Sequence, residues 1–342
     1  MGLKSPDIEN VDFVSVNRRK TPYIEKFIKF LLLIGKAFET FYWRQLKIYQ
    51  YEFPEDRKFD LIIANDIDTL PLALKLAYGA KVLFDAHEYS PKEFEDDFGW
   101  ELLYGGYKHY LCKKYIPKCD AMVTVCDGLA AEYYRNYGKK PHVITNATDF
   151  IDLSPQPVSY ENVKLVHHGI AVRTRKIEKM IEVMDYVDAR FHFFLILVPK
   201  DPEYYKKLEI LAKKNSRIHF LPPVEMKNIS EYINQFDVGI YLLEPNSFNN
   251  RFALPNKIFE FVQARLAIAI GPSPEMADIV KKYDLGVAAD DFSSQALANS
   301  LQTLTINKLN YYKGQAHRHA REMSSEGNAK ALKGIVSQLI GI

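Results

Sequence analysis

The sequence predicts an α/β protein of two Rossmann-like, doubly wound domains facing a cleft, and three observations carry that expectation. Its 342 residues exceed what one core usually organises. Short apolar runs alternate with helical patterns in two successive series. A break at 151–162, with Pro155 and Pro157, separates them.

The first series opens with an expected strand at 11–16 and a long amphipathic helix at 23–50, where aromatic and aliphatic residues recur at helical spacing between Lys and Arg. Strands follow at 61–64, 81–84, 121–125 and 142–144, with helices at 70–78 and 129–137. Asp66, His87, Cys126 and Asn146 stand just past strand ends, where an open parallel sheet lines its ligand crevice. The second series places strands at 164–168, 191–198, 217–221, 238–243 and 266–270. The domains are therefore expected at 1–149 and 150–319, with a C-terminal helix at about 320–342 returning to the first.

Composition narrows the function. Apolar residues are 47% and charged residues 26%, an ordinary globular balance. A net charge of +2 gives no support to a nucleic-acid partner. Cys112, Cys119 and Cys126, seven residues apart, fit neither a zinc site nor a disulfide framework and read as reduced cytosolic thiols. Residues 1–10 are polar and carry no signal-peptide pattern, and the apolar stretch 27–35 is too short to span a bilayer. The expected location is cytoplasmic. Helix 23–50 fits either a peripheral seat at the inner face of the membrane or packing on its own sheet.

Three segments carry chemistry. The first is Leu254-Pro255-Asn256-Lys257-Ile258-Phe259-Glu260, followed by a strand and the turn Gly271-Pro272-Ser273-Pro274-Glu275. Asn256 and Lys257 at a helix start would offer free N–H groups and a positive dipole end to a diphosphate; otherwise Asn256 caps the helix and Lys257 and Glu260 form an exposed i,i+3 pair. The second is His168-Gly169-Ile170-Ala171-Val172-Arg173-Thr174-Arg175-Lys176, a strand entering a basic loop. The third is Asp85-Ala86-His87-Glu88-Tyr89 at a strand end. No G-x-G-x-x-G follows any strand, which sets nicotinamide chemistry aside.

In order and spacing these segments resemble the GT-B glycosyltransferases of the large retaining family 4, also called group 1, in its Pro-Asn-Lys-x-x-Glu subtype. The resemblance implies a hexosyltransferase-type enzyme that moves a sugar from a nucleotide-sugar, UDP- or GDP-linked, to a glycan or lipid-linked acceptor. It also implies retention, no metal or other cofactor, and a role in bacterial cell-surface polysaccharide synthesis. Glu260 would hold the donor ribose, and Lys176, with Arg173 or Arg175, would face the diphosphate beside Gly169. Such cations stabilise the charge that builds on the leaving group. His87 would orient the sugar, and Val224 would lie under the base.

The chain departs from that pattern at four places. The family's opening strand, Gly-rich loop and helix are not recognisable, so the first domain is expected to lack a βα unit. Ile170 stands where the Arg usually follows the Gly. Phe252 replaces a second Glu, with the backbone of Leu254 and Pro255 serving instead. Gln263-Ala264-Arg265 replaces Ala-Ala-Gly, an exchange expected to alter sugar preference. Two other readings remain open: a GT-B-fold nucleotide-sugar epimerase using carboxylates such as Glu88 and Glu244, and a non-catalytic partner subunit.

Overall fold

The structure, a computed structural model, describes residues 9, 11–18, 20–47, 49, 50 and 58–342. They form two compact units, one drawn from Met1–Val123, Glu132–Pro141 and Leu339–Ile342, the other from Thr124–Ala131 and His142–Gln338.

In the second unit six strands form one parallel sheet in the order Gly286–Ala288, Ala267–Ile270, Val238–Tyr241, Val163–Ile170, Phe191–Val198, Ile218–Leu221. Numbered along the chain this is 6-5-4-1-2-3, the doubly wound order, and its direction reverses between Val163–Ile170 and Val238–Tyr241. The central strands are apolar on both faces because helices cover both: Val238–Tyr241 and Ala267–Ile270 are buried throughout. Gly239 is required by packing, since a Cβ there would stand 2.4 Å from the Phe261 ring. Phe261 lies on the helix Asn256–Gln263, which also buries Ile258, Phe259 and Val262, each worth about 1.5–3 kcal/mol. The strand Gly286–Ala288 and the helix Ser294–Gln302 were not expected from the sequence.

The other four-stranded sheet runs in chain order: Leu61–Asn65, Lys81–Ala86, Ala121–Thr124, His142–Val143. Its first two strands pair in parallel from Leu61 with Lys81 to Asn65 with Asp85. Among the described residues 11–16 form no extended strand; Asn17–Arg18 instead pairs antiparallel with Tyr49–Gln50. The expected helix 23–50 is two helices, Tyr23–Ile34 and Phe38–Leu46, because the chain turns at Gly35 and at Lys36, whose φ is +53°.

The boundary between units also differs from the expected 149/150. Cys126 and Gly128 already bond within the second unit, the thiol to the Phe252 carbonyl at 3.2 Å and the Gly128 N–H to Glu275 at 2.7 Å. The tail helix Ser325–Ile340 stays with that unit as far as Gln338: Asn328 donates to the Thr145 carbonyl at 2.6 Å and Ser325 to Asp149 at 2.5 Å. These bonds hold the tail to residues 145–149, and its last residues, Leu339–Ile342, group with the first unit.

Candidate functional site

Most of the sequence-nominated residues lie in the second unit at the carboxyl ends of Val163–Ile170 and Val238–Tyr241, where the strand order reverses and a doubly wound sheet opens a crevice. Gly169 ends the first of these strands with φ +136°, a conformation closed to L side chains. An added Cβ would also stand 3.0 Å from the Lys257 Nζ. That ammonium donates to the His168 carbonyl and lies 5.1 Å from the centre of the Tyr241 ring. Burial, reinforced by Arg175 and opposed by Glu260, brings its pKa down to about 8. Arg175 donates to the Tyr241 hydroxyl at 2.9 Å, so two cations share one aromatic side chain.

One turn along the helix from Lys257, Glu260 is 5% exposed. Its Oε2 stands 3.3 Å from the His168 Nε2, close but not aligned as a hydrogen bond, and that nitrogen has no hydrogen-bond partner among the described residues. Burial raises the Glu260 carboxyl and pushes His168 well down, toward the neutral imidazole. The exposed-pair reading of Lys257 and Glu260 is thus excluded. Asn256 does not cap the helix either: Pro255 is the N-cap residue, and no side-chain hydrogen bond closes that end. Having no N–H, Pro255 cannot donate to a ligand, and Leu254 beside it is buried.

The basic loop divides its work. Lys176, in the left-handed region at φ +45°, and Lys179 both pair with Glu244, which they hold below the usual carboxylate range. Arg173 is bonded to Asp201 at 2.9 Å and Glu203 at 3.4 Å on the neighbouring helix Pro202–Ala212. Of the two arginines proposed to replace the absent one, Arg175 joins Lys257 and Arg173 does not. Val224 is half-buried in the loop after Ile218–Leu221. His168, Tyr241, Lys179 and the partnering by Glu244 were missed as site features, although His168 ends the strand expected at 164–168, a signal available in the sequence.

No protein-family model matches the chain, and no match is found among curated proteins. Solved structures do match. Sucrose-phosphate synthase from Thermosynechococcus elongatus is 14% identical over 97% of this chain and 87% of that one, with a TM-score of 0.67. Anabaena HepE in complex with UDP is 14% identical over 89% and 82%, with a TM-score of 0.66. S. aureus TarM, in complex with Fondaparinux, alpha-GlcNAc-glycerol and UDP, is 13% identical with a TM-score of 0.61; 81% of this chain is covered but only 55% of TarM, so the chain spans little more than half of that protein's length. All three are GT-B glycosyltransferases.

The fold is GT-B. One residue, Arg265, differs from the sequence expectation. Arg265, expected near the donor, is wholly buried with its guanidinium directed at backbone: it donates to Gln263 and Ile151 carbonyls at 2.6 Å each and to the His317 Nδ1 at 3.1 Å. It ties residue 151 and the helix Ile306–His319 to the end of the donor-segment helix. His87 belongs to the first unit. Its Nε2 lies 3.3 Å from Asp85, which raises the imidazole pKa, and it lines a cleft of about 170 Å³ with Asp66, Asp68, Glu88, Ser90 and Glu93.

Proposed function

We propose that the protein is a retaining glycosyltransferase that passes a hexosyl group from a UDP- or GDP-sugar to a glycan or lipid-linked acceptor, in cytoplasmic steps of bacterial surface-polysaccharide synthesis. One observation carries the reading: Glu260 is a buried carboxylate to which no described residue donates a hydrogen bond, set beside Arg175 and Lys257 at the reversal of the sheet. A buried acceptor left unmet by the fold is matched by a ligand that brings its own donors, and a ribose diol does so. Arg175, Lys176 and Lys257 are then the fixed charges for the departing diphosphate, a role that asks for no metal. HepE in complex with UDP-glucose supports a nucleotide-sugar donor.

Glu244 bears on the epimerase alternative. Its two lysines hold it ionised, which ill suits a group that must exchange a proton at the sugar.

Peripheral membrane contact is supported by the helix Tyr23–Ile34, where Tyr23, Ile24, Phe27, Leu31 and Ile34 are exposed along one side with Lys26 nearby. Among the described residues no helix is long and apolar enough to cross a membrane. Co-sedimentation with anionic liposomes at low salt tests the contact, and recovery of all protein in the supernatant would remove it.

Thermal-shift screening against UDP, GDP, ADP, CMP and their sugar conjugates tests the donor assignment. One nucleotide should raise the midpoint. Glu260→Ala and Lys176→Ala should each weaken donor use by about 10-fold or more; wild-type donor use in both would overturn the site.

A further inference from the structure

The first unit holds a second cavity, of about 340 Å³, that the donor reading does not use. This is within the range of about 300–1,000 Å³ typical of small-ligand sites. One wall is aromatic: Trp100 and Tyr104 lie stacked at 6.4 Å, Phe94 meets Trp100 edge-on at 5.6 Å, and Phe41 meets Tyr104 at 6.3 Å. Phe94, on the rim, is 51% exposed. Trp100 and Tyr104 flank and enter a π-helical turn, Glu101–Gly105, a rare conformation often found at functional positions.

The lining is also ionic. Lys108 is buried and bonds Asp68 at 2.5 Å and Glu93 at 3.1 Å. The Asp68 side chain remains 54% exposed and that of Glu93 29%, so each carboxylate, held in place from one side, keeps oxygen lone pairs for a ligand. Asp68 and Glu93 also line the smaller cleft that contains His87, which makes the two spaces neighbours with a shared wall.

A cavity lined by both aromatic rings and fixed carboxylates matches a pyranose ring. The ring's C–H face is apolar and lies flat on an aromatic surface, while its hydroxyls donate to carboxylates in charge-assisted bonds. The charge balance then selects among sugars. In the cavity Asp68 and Glu93 outnumber Lys108, and Asp66 and Glu88 line the neighbouring cleft, so an added phosphate or carboxylate meets net repulsion and an amino group meets attraction.

We propose that the cavity lined by Trp100 and the Asp68–Lys108–Glu93 trio seats a neutral or amino-bearing pyranose unit of the acceptor, and rejects anionic sugars. This rests on the glycosyltransferase reading only for the word acceptor; the seat itself is a sugar-binding site.

Saturation-transfer NMR on the full chain, with no nucleotide present, tests it with three probes: cellobiose, chitobiose with free amino groups, and a glucuronic-acid disaccharide. The first two should receive saturation, and the third should bind about tenfold more weakly or less. Trp100→Ala should abolish the transfer, and Glu93→Gln, which keeps the shape should the first variant fail to fold, should weaken it. Equal binding of the glucuronide, no binding of any probe, or unchanged binding in folded variants would overturn the seat. The two readings fail separately: a UDP shift without sugar binding removes the seat alone, and sugar binding without any nucleotide shift removes the transferase.

Discussion

Burial holds the Lys257 ammonium at about 8 instead of the ordinary 10.5, and this has opposite effects on binding and on stability. A diphosphate binds the charged form, so UDP affinity should fall as pH rises through about 8, by at most about tenfold per unit. Between about 8 and 10.5 the unfolded chain keeps a proton that the folded chain has released, so this residue makes the ligand-free protein more stable as pH rises across that window. UDP titrations and denaturation midpoints at pH 7 to 10 should show both trends, and Lys257→Met should flatten both. Arg265 is a second residue whose role the structure settles. Arg265→Ala leaves the Gln263 carbonyl without its side-chain donor and the Ile151 carbonyl with only the Leu153 N–H, and should cost about 1–3 kcal/mol in urea denaturation while the folded fraction still binds UDP. The Pro-Asn-Lys-x-x-Glu run made Lys257 and Glu260 legible in the sequence. The direction of Arg265 was not, because it depends on a left-handed backbone at φ +59° and on His317, brought close only by folding.

Among elements, the strand Val163–Ile170 is the one whose end builds the site. Gly169 gives the Lys257 ammonium access to the His168 carbonyl, so Gly169→Ala combines a forbidden φ with a Cβ 3.0 Å from that nitrogen. It should lower stability by about 1–3 kcal/mol, read from the denaturant midpoint, and weaken UDP binding with it. Five of the six strands of the second unit were legible because apolar runs of the right length are bounded by turn residues; Gly286–Ala288, only three residues long, was not. Helix 23–50 was read as continuous because its apolar spacing persists through Gly35 and Lys36, and spacing does not report a positive φ. The region 90–118 gave no prediction at all. Its acidic and aromatic residues follow neither a period of two nor one of 3.6, and the structure shows why: it passes from a 3-10 turn, Ser90–Lys92, through the short helix Phe98–Trp100 and a π-helical turn before settling into the helix Gly106–Tyr115.

For the whole molecule, the division into units follows buried polar links more than the Pro-rich stretch that suggested it. Lys313, 1% exposed on the helix Ile306–His319, donates to the Phe236 carbonyl at 2.9 Å and to Asp237 at 3.1 Å, fastening the tail beneath the second sheet. A chain ending at residue 305 would leave Asp237 buried without its cation, a loss of about 3–5 kcal/mol, and would expose the contacts of Leu309 and Ala316 as well. Such a chain should lose its near-ultraviolet dichroism and be cleaved rapidly throughout the second unit; a protease-resistant core would show that the tail is dispensable. Two α/β domains were legible from alternation alone. The order of the strands was not, since hydrophobic pattern marks a strand as buried and says nothing about its neighbours.

The chain-order run of the first sheet has a consequence for how such a protein diversifies. Residues 87–120 leave the sheet from one strand and rejoin it at the next, and Asp120 secures the return by accepting from the Val82 N–H at 2.8 Å and from Lys81 at 3.0 Å. The excursion carries Glu93, Trp100, Tyr104 and Lys108, yet its two ends are fixed by the framework. Exchanging it as one piece would change the lining of the first unit's cavity while leaving the strands on either side, and the six-stranded sheet, with their own residues.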